Sequence, residues 1–208
     1  MFTGLVQAVG RAVQAHREAS GVMSLSLAAP RWTACPGPGD SIAVDGCCLT
    51  IVEARESGKD ELELHFQVVP QTLQMTTLGA LQEGQAVNLE TAATTETLLG
   101  GHLVQGHVDG VGQVISNRSQ DGDVRIRIQP PAEILELIVP QGSITVAGVS
   151  LTVAGVTDGT FDVALVPTTL EETTLGSLVE GDRVNLESDI LLRSMRHLME
   201  ARGLLTPR

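Results

Sequence analysis

The chain alternates apolar and polar positions with a period of two along much of its length. Ser24-Leu25-Ser26-Leu27, ELELHF at 61–66 and DVRIRI at 123–128 alternate strictly, and SIAV at 41–44, VNLE at 87–90 and 184–187, and FDVAL at 161–165 keep the same period. That period places alternate side chains on one face of a pleated strand, so these runs are predicted strands. PGPGD at 36–40, ESGKD at 56–60, SQDGD at 119–123 and TDGT at 157–160 separate them with turn-forming residues. Many short strands with glycine-rich turns predict a small barrel or sandwich. Closing a barrel also removes exposed strand edges.

Two segments leave this pattern. In PTTLEETTLG, Thr168 or Thr169 is positioned to cap a short helix, with Glu171 and Glu172 in its first turn and Gly176 as its stop. Near the end, DILLRSMRHLMEARGLL carries apolar residues at 191, 192, 195, 198 and 199, the spacing of a helix with one apolar stripe. That stripe needs cover, either from its own barrel or from the same helix of another subunit, and the pattern favours assembly.

The pattern is also written twice. PQTLQMTTLGALQEGQAVNLE (70–90) and PTTLEETTLGSLVEGDRVNLE (167–187) share 14 of 21 positions. GLVQAVGRAV from Gly4 aligns with GHVDGVGQV from Gly106, and GDSIAVDGCCLTIVEA from Gly39 aligns with QGSITVAGVSLTVAGV from Gln141. Three blocks in one order mean a duplicated module, and two copies are too few for a solenoid. TAATTETLLGG (91–101) is small and polar and reads as the connection. The expected domains are a first barrel at 1–96, a second at 97–188 and a C-terminal helix at 189–208.

Composition narrows the function. The formal net charge is −12 and the 13 basic residues are scattered, which argues against a phosphate-backbone partner. With no Tyr, one Trp and three Phe, the chain also lacks rings on which to stack bases. Cys35, Cys47 and Cys48 form neither a disulfide framework nor a zinc pattern. MFTGLVQAVG lacks the basic and apolar regions of a signal peptide, and no run has the apolar length of a membrane span. A reducing, cytoplasmic setting is the expectation.

Two stretches offer chemistry. GGHLVQGHVDG (100–110) sets His102 and His107 among glycines that let backbone and ligand come close. Five residues apart, the two histidines fall on opposite faces of a strand, so they do not suit one metal. The plainer reading is strand glycines needed for barrel curvature, with histidines facing solvent. In DGCCLT (45–50) and AGVSLT (147–152), Cys48 matches Ser150 and Thr50 matches Thr152. A small polar atom two residues from a threonine, on one face of a strand, can hydrogen-bond the edge of a planar heterocycle. A nucleophilic thiolate would need a pKa-lowering neighbour, and the serine in the second copy weakens that role. The plainer reading is small residues filling barrel space.

Taken together, MFTGLV, GDSIAVDGCCLT, GGHLVQGHVDG, GSITVAGVSLTV and the two PxTLxxTTLG blocks resemble riboflavin synthase of the alpha-chain type, over about residues 1 to 195. The resemblance implies an all-β fold of two similar six-stranded antiparallel Greek-key barrels plus a C-terminal α-helix. It implies a dismutation of two 6,7-dimethyl-8-ribityllumazine molecules into riboflavin and 5-amino-6-ribitylamino-2,4-pyrimidinedione, with no metal or redox cofactor. The partners implied are this substrate, a homotrimer with sites between subunits, and lumazine synthase. The alternative on the same scaffold is a non-catalytic lumazine or flavin carrier. Such carriers depart in the GGH–GH region, whereas this chain keeps His102, His107 and Ser150.

Site residues follow from the resemblance position by position. Gly4, Leu5, Val6, Cys48, Leu49 and Thr50 are expected in the first pocket, completed by Gln67, Val68, Val69, Pro70, Gln71 and Thr72. Gly106, His107 and Val108 begin the second, with Ser150, Leu151 and Thr152, then Ala164, Leu165, Val166, Pro167, Thr168 and Thr169. His102 and Gln141 join the substrate-binding set. His107, Ser150 and Cys48 are the candidates for proton handling or water activation, and Phe2 and Asp189 match positions important in the family. Three positions depart from the family pattern: Gln141 replaces a lysine, Ala147 an aspartate and Gln71 a glutamate. The first two read either as a charge pair lost as a unit or as weakened catalysis in the second barrel.

Overall fold

The computed structural model describes residues 1–32, 35–120 and 123–205, so Asp121 and Gly122 of the expected SQDGD turn lie outside the described residues. The first copy forms β1 (Ala8–Arg17), β2 (Met23–Pro30), β3 (Ser41–Val44), β4 (Cys47–Glu56), β5 (Glu61–Val68), a short α1 (Pro70–Met75) and β6 (Ala86–Thr91). The second forms β7 (Gly110–Gln120), β8 (Asp123–Gln129), α2 (Ala132–Leu135), β9 (Ser143–Val146), β10 (Val149–Thr157), β11 (Thr160–Leu165), α3 (Pro167–Glu172) and β12 (Arg183–Ser188). A final helix, α4, spans Ile190–Ala201. Each copy closes into a six-stranded antiparallel barrel, the first in the order β1-β2-β5-β4-β3-β6 and the second in the matching order. The run β2-β5-β4-β3 is a Greek key.

The alternating runs bury one face as their period requires. Leu25, Leu27, Ile42, Leu64, Phe66 and Leu89 fill the first barrel, and Val114, Ile126, Ile128, Phe161, Val163 and Leu186 fill the second, all at most 2% exposed. Each such side chain contributes about 1.5–3 kcal/mol by leaving water. The register slips at Ala12/Gln14 and Ile51/Glu53 in the first barrel, and at Val114/Ser116 and Val153/Gly155 in the second. These are equivalent places, so the bulges that bend the strands were duplicated with the sequence.

The short helices begin differently from the expectation. In α3, Pro167 stands in the first turn and neither Thr168 nor Thr169 caps it; Glu171 and Glu172 lie at its end. Proline needs no cap for a missing N–H and already holds a helical φ. The helix stops because the Thr173 hydroxyl donates to the Thr169 carbonyl and accepts from Leu175 N–H, opening a 3-10 turn over Thr174–Ser177. Gly176 permits contact rather than stopping the helix, since a Cβ there would lie 2.4 Å from the Leu170 carbonyl oxygen.

The barrels meet about a local pseudo-twofold axis. The buried Asn88 side-chain amide donates to the Ala147 carbonyl at 2.8 Å and accepts from Thr174 N–H at 2.8 Å. Asn185 repeats this with the Asp45 carbonyl at 2.9 Å and Thr77 N–H at 2.7 Å. An amide has a donor and an acceptor side, so each asparagine satisfies a carbonyl and an N–H of the opposite barrel at once. At the axis the two hairpin tips touch: a Cβ on Gly46 would lie 2.8 Å from Gly148 N.

Candidate active site

Two arms cross beside this axis. Phe2 N–H donates to the Val104 carbonyl at 2.7 Å and Val104 N–H returns to Phe2 at 3.1 Å. Two residues on, the Gly4 carbonyl accepts from Ser150 N–H at 2.8 Å, and the Gly106 carbonyl accepts from Cys48 N–H at 2.9 Å. Both glycines have positive φ (+75° and +79°), and a Cβ would meet the Ser150 Cβ at 2.5 Å and the Cys48 Cβ at 2.6 Å. A side chain is excluded twice over, by backbone conformation and by space. Val6 packs on the second barrel's core and Val108 on the first. The grouping expected from the resemblance is therefore crossed within the chain: Gly4, Leu5 and Val6 lie towards Ser150, and Gly106, His107 and Val108 towards Cys48.

The paired CLT and SLT strands present these groups outward. Cys48 and Ser150 are half-buried, Thr50 and Thr152 are exposed, and Leu49 and Leu151 point inward. Cys48 and Ser150 therefore do not fill barrel space. Ile51 pairs with Phe66 and Val153 with Val163, so Thr50 adjoins Gln67 and Thr152 adjoins Ala164 on the outer faces. Val69, Pro70 and Gln71 continue the first exposed wall, and Val166, Pro167 and Thr168 the second, with Thr72 and Thr169 half-buried. Val68 and Leu165 point into the cores, so only their backbone faces this surface. Gln141 is exposed on the turn before β9. Phe2 is 1% exposed and packs with Ala43 and Val104, so it anchors the crossing arms.

The histidines lie in loop, not on opposite faces of a strand. His107 is exposed, but His102 is half-buried. Its Nδ1 lies 2.7 Å from Ser150 Oγ and its Nε2 lies 3.3 Å from the buried Thr145 hydroxyl. Burial holds the His102 pKa below its usual value, opposed by the nearby charge of Asp189, so the ring is neutral at pH 7. With the proton on Nε2, Nδ1 accepts from the serine hydroxyl and can serve as a base. Asp189 itself caps α4 by accepting from Leu191 N–H at 2.8 Å. Burial pushes the Cys47 thiol up to about 12, which makes it inert. Among the described residues no group of three or more His, Cys, Asp or Glu side chains could hold a metal ion.

Two buried glutamates hold the arms. Glu90 accepts from Thr3 N–H at 2.6 Å, the Thr3 hydroxyl at 2.8 Å and Gly4 N–H at 3.0 Å. Glu187 accepts from the N–H groups of Gln105, Gly106 and His107 at 2.7, 2.9 and 3.0 Å. Arg193 of α4 bonds both Asp109 and Gln105, and Asp109 accepts from Ser188 N–H at 2.7 Å.

Residues 3–92 and 105–189 match the family described as lumazine binding domain. A riboflavin synthase of Mycobacterium tuberculosis is 42% identical over 98% of this chain and 100% of its own length. One from Bacillus subtilis is 33% identical over 94% of this chain and 88% of its own.

The chain belongs to the riboflavin synthase family.

Its fold also matches solved structures of LumP complexed with 6,7-dimethyl-8-(1'-D-ribityl) lumazine (TM-score 0.76, 25% identity) and with riboflavin (TM-score 0.77, 27% identity). Each covers 90% of this chain and 99% of LumP. Within this family member, sequence reasoning singled out Cys48, Ser150 and both histidines but centred proton handling on His107. The partner of Ser150 in the chain is His102. Thr145 carried no signal, because its counterpart in the first copy is Ala43. Glu90 and Glu187 did carry one: both end the repeated VNLE.

Proposed function

We propose that the chain binds two molecules of 6,7-dimethyl-8-ribityllumazine on equivalent faces of its two barrels and transfers a four-carbon unit between them, giving riboflavin and 5-amino-6-ribitylamino-2,4-pyrimidinedione. The atoms of two substrates equal those of the two products, so no external oxidant enters. The observation that carries the reading is the hydrogen bond between Ser150 Oγ and a neutral His102, in a doubled module of this family. The electron-poor ring acidifies the C7 methyl group of one lumazine. Ser150 and His102 are placed to move that proton, while outward polar groups such as Thr50, Thr152 and Cys48 hold heterocycle edges. Holding two pteridines face to face supplies most of the acceleration by proximity and orientation.

The helix supports assembly. No residue of α4 is buried, and Leu191, Met195 and Leu198 are 61%, 58% and 62% exposed. Arg193 and Arg196 tie the opposite face to Asp109 and Glu136. With its polar face inward and its apolar stripe outward, α4 suits packing on copies of itself, in a cytoplasmic homotrimer. Each complete site would then join the first barrel of one subunit to the second barrel of the next.

Incubation with the ribityllumazine and EDTA, followed by chromatography, tests the reading. One riboflavin per two substrates consumed is expected. Binding without turnover by a folded protein would leave a non-catalytic lumazine or flavin carrier.

A further inference from the structure

The two carboxylates at the ends of β6 and β12 are the most deeply buried acidic groups beside the site, with Glu90 3% and Glu187 2% exposed. Neither touches the outer faces that carry Thr50 and Thr152. Each spends its oxygens on backbone N–H groups of one arm, and each arm then passes a single backbone hydrogen bond to the other barrel. The routes run from Glu90 through Thr3 and Gly4 to Ser150, and from Glu187 through Gln105 and Gly106 to Cys48.

Position along the chain does not explain this arrangement. A loop could satisfy its own N–H groups with water, whereas burying a carboxylate costs several kcal/mol unless it is fully hydrogen-bonded. Two such carboxylates, placed equivalently and holding the two arms where each crosses to the opposite barrel, point to geometry as the purpose.

We propose that Glu90 and Glu187 are positioning residues that act crosswise: Glu90 of the first barrel sets the backbone at Ser150 of the second, and Glu187 of the second sets the backbone at Cys48 of the first. This rests on the reading that Cys48 and Ser150 face the two lumazines. An ionised carboxylate offers acceptors to all three of its donors, whereas a protonated or amidated one turns a donor toward them. Burial pushes Glu187 up to about 7, with Asp109 raising it and Arg193 lowering it. The Cys47 thiol on β4 feels the same carboxylate, and His107 meets it through its backbone N–H. The Gln105 and Gly106 N–H bonds pull the Glu187 pKa back down, so ionisation and arm bonding favour each other while the carboxylate stays buried, and the Glu187 arm tightens as pH rises through neutrality even as burial of the charge costs global stability.

The test compares wild type with Glu187→Gln and Glu90→Gln, using amide hydrogen exchange first because it needs no ligand. Glu187→Gln is expected to speed exchange at least tenfold in residues 105–108 and at Cys48, with residues 3–6 unchanged; Phe2 and Val104 bond each other across the arms and do not discriminate. Glu90→Gln should do the reverse, at residues 3–6 and Ser150. In wild type, exchange of 105–108 corrected for intrinsic pH dependence should slow from pH 6 to pH 8, and Glu187→Gln should abolish that slope. Riboflavin titration should then show each variant weakening one class of site. Equal loosening of both arms, or no change in either, overturns the proposal. Absence of turnover in wild type would instead count against the enzymatic reading and leave the exchange result standing. Should either Gln variant fail to fold, the wild-type pH slope decides alone, and a flat slope rejects the Glu187 half.

Discussion

Asp45 and Ala147 occupy the same left-handed position at the tips of two equivalent hairpins, at φ +44° and +47°, and only Asp45 has a side chain suited to it. Each precedes a glycine at φ +78° or +80°, the pattern of a type I′ turn, which favours Asn-Gly and Asp-Gly. The Asp45 carboxylate uses the geometry, accepting from Asn88 N–H at 2.8 Å. Ala147 has no such bond to offer and carries the strain of left-handed backbone, about 1 kcal/mol or slightly more.

Ala147→Asn should therefore stabilise the chain by about 1 kcal/mol, raising Tm by roughly 2–4 °C for a chain of this size. Gln141, at φ +64° where the first copy has Gly39, should gain similarly on replacement by glycine. Differential scanning calorimetry checks both, and a lower Tm for Ala147→Asn would refute the strain argument.

Loss of the pair at Ser150 and His102 should impair chemistry more than binding. Ser150→Ala and His102→Asn are each expected to lower kcat by about 10²- to 10⁴-fold while the Kd for riboflavin changes little. Because burial depresses the His102 pKa, the base is lost only as pH falls below the usual histidine range. Wild-type kcat should thus hold through pH 6.5 and decline below it, and His102→Asn should lack that limb.

Stability should have the opposite dependence on pH. Burial raises Asp45 and Glu187 from ordinary carboxylate values to about 7, so the folded chain binds protons that the unfolded chain has released. This contribution is fully present below the unfolded pKa, near 4, and is lost as pH rises through about 7. Urea unfolding should give a ΔG that falls between pH 5 and pH 8, by at most about 1.4 kcal/mol per pH unit for each proton. Asp45→Asn should flatten part of this slope, and a ΔG rising over that range would exclude the assignment.

Charge on the exposed stripe of α4 should separate assembly from folding. Met195→Glu with Leu198→Glu is expected to leave the far-ultraviolet circular dichroism unchanged. Sedimentation should shift to a smaller species and turnover should fall at least tenfold. Wild type sedimenting as a fully active monomer would refute the subunit role of the helix.

The chain's own pattern determined the barrels and their duplication. Strand periodicity is a local property, and SLSL or ELELHF buries one face whichever neighbour it meets. The repeated blocks then required the same barrel twice, and even the paired bulges follow. The stripe at 191–199 likewise announced an amphipathic helix, because amphipathicity is read along one element. What tertiary structure alone decided is how the two copies meet. That His102 rather than His107 reaches Ser150 depends on the crossing of two arms at Phe2 and Val104, and no periodicity encodes a crossing. The same holds for Thr145, which shares its histidine contact with no counterpart in the first copy. Glu90 and Glu187 were visible as repeated letters, but their partners lie 80 or more residues away in sequence. Such contacts exist only once both barrels have closed, and they arise from burial and hydrogen-bond satisfaction rather than from any local preference of the chain.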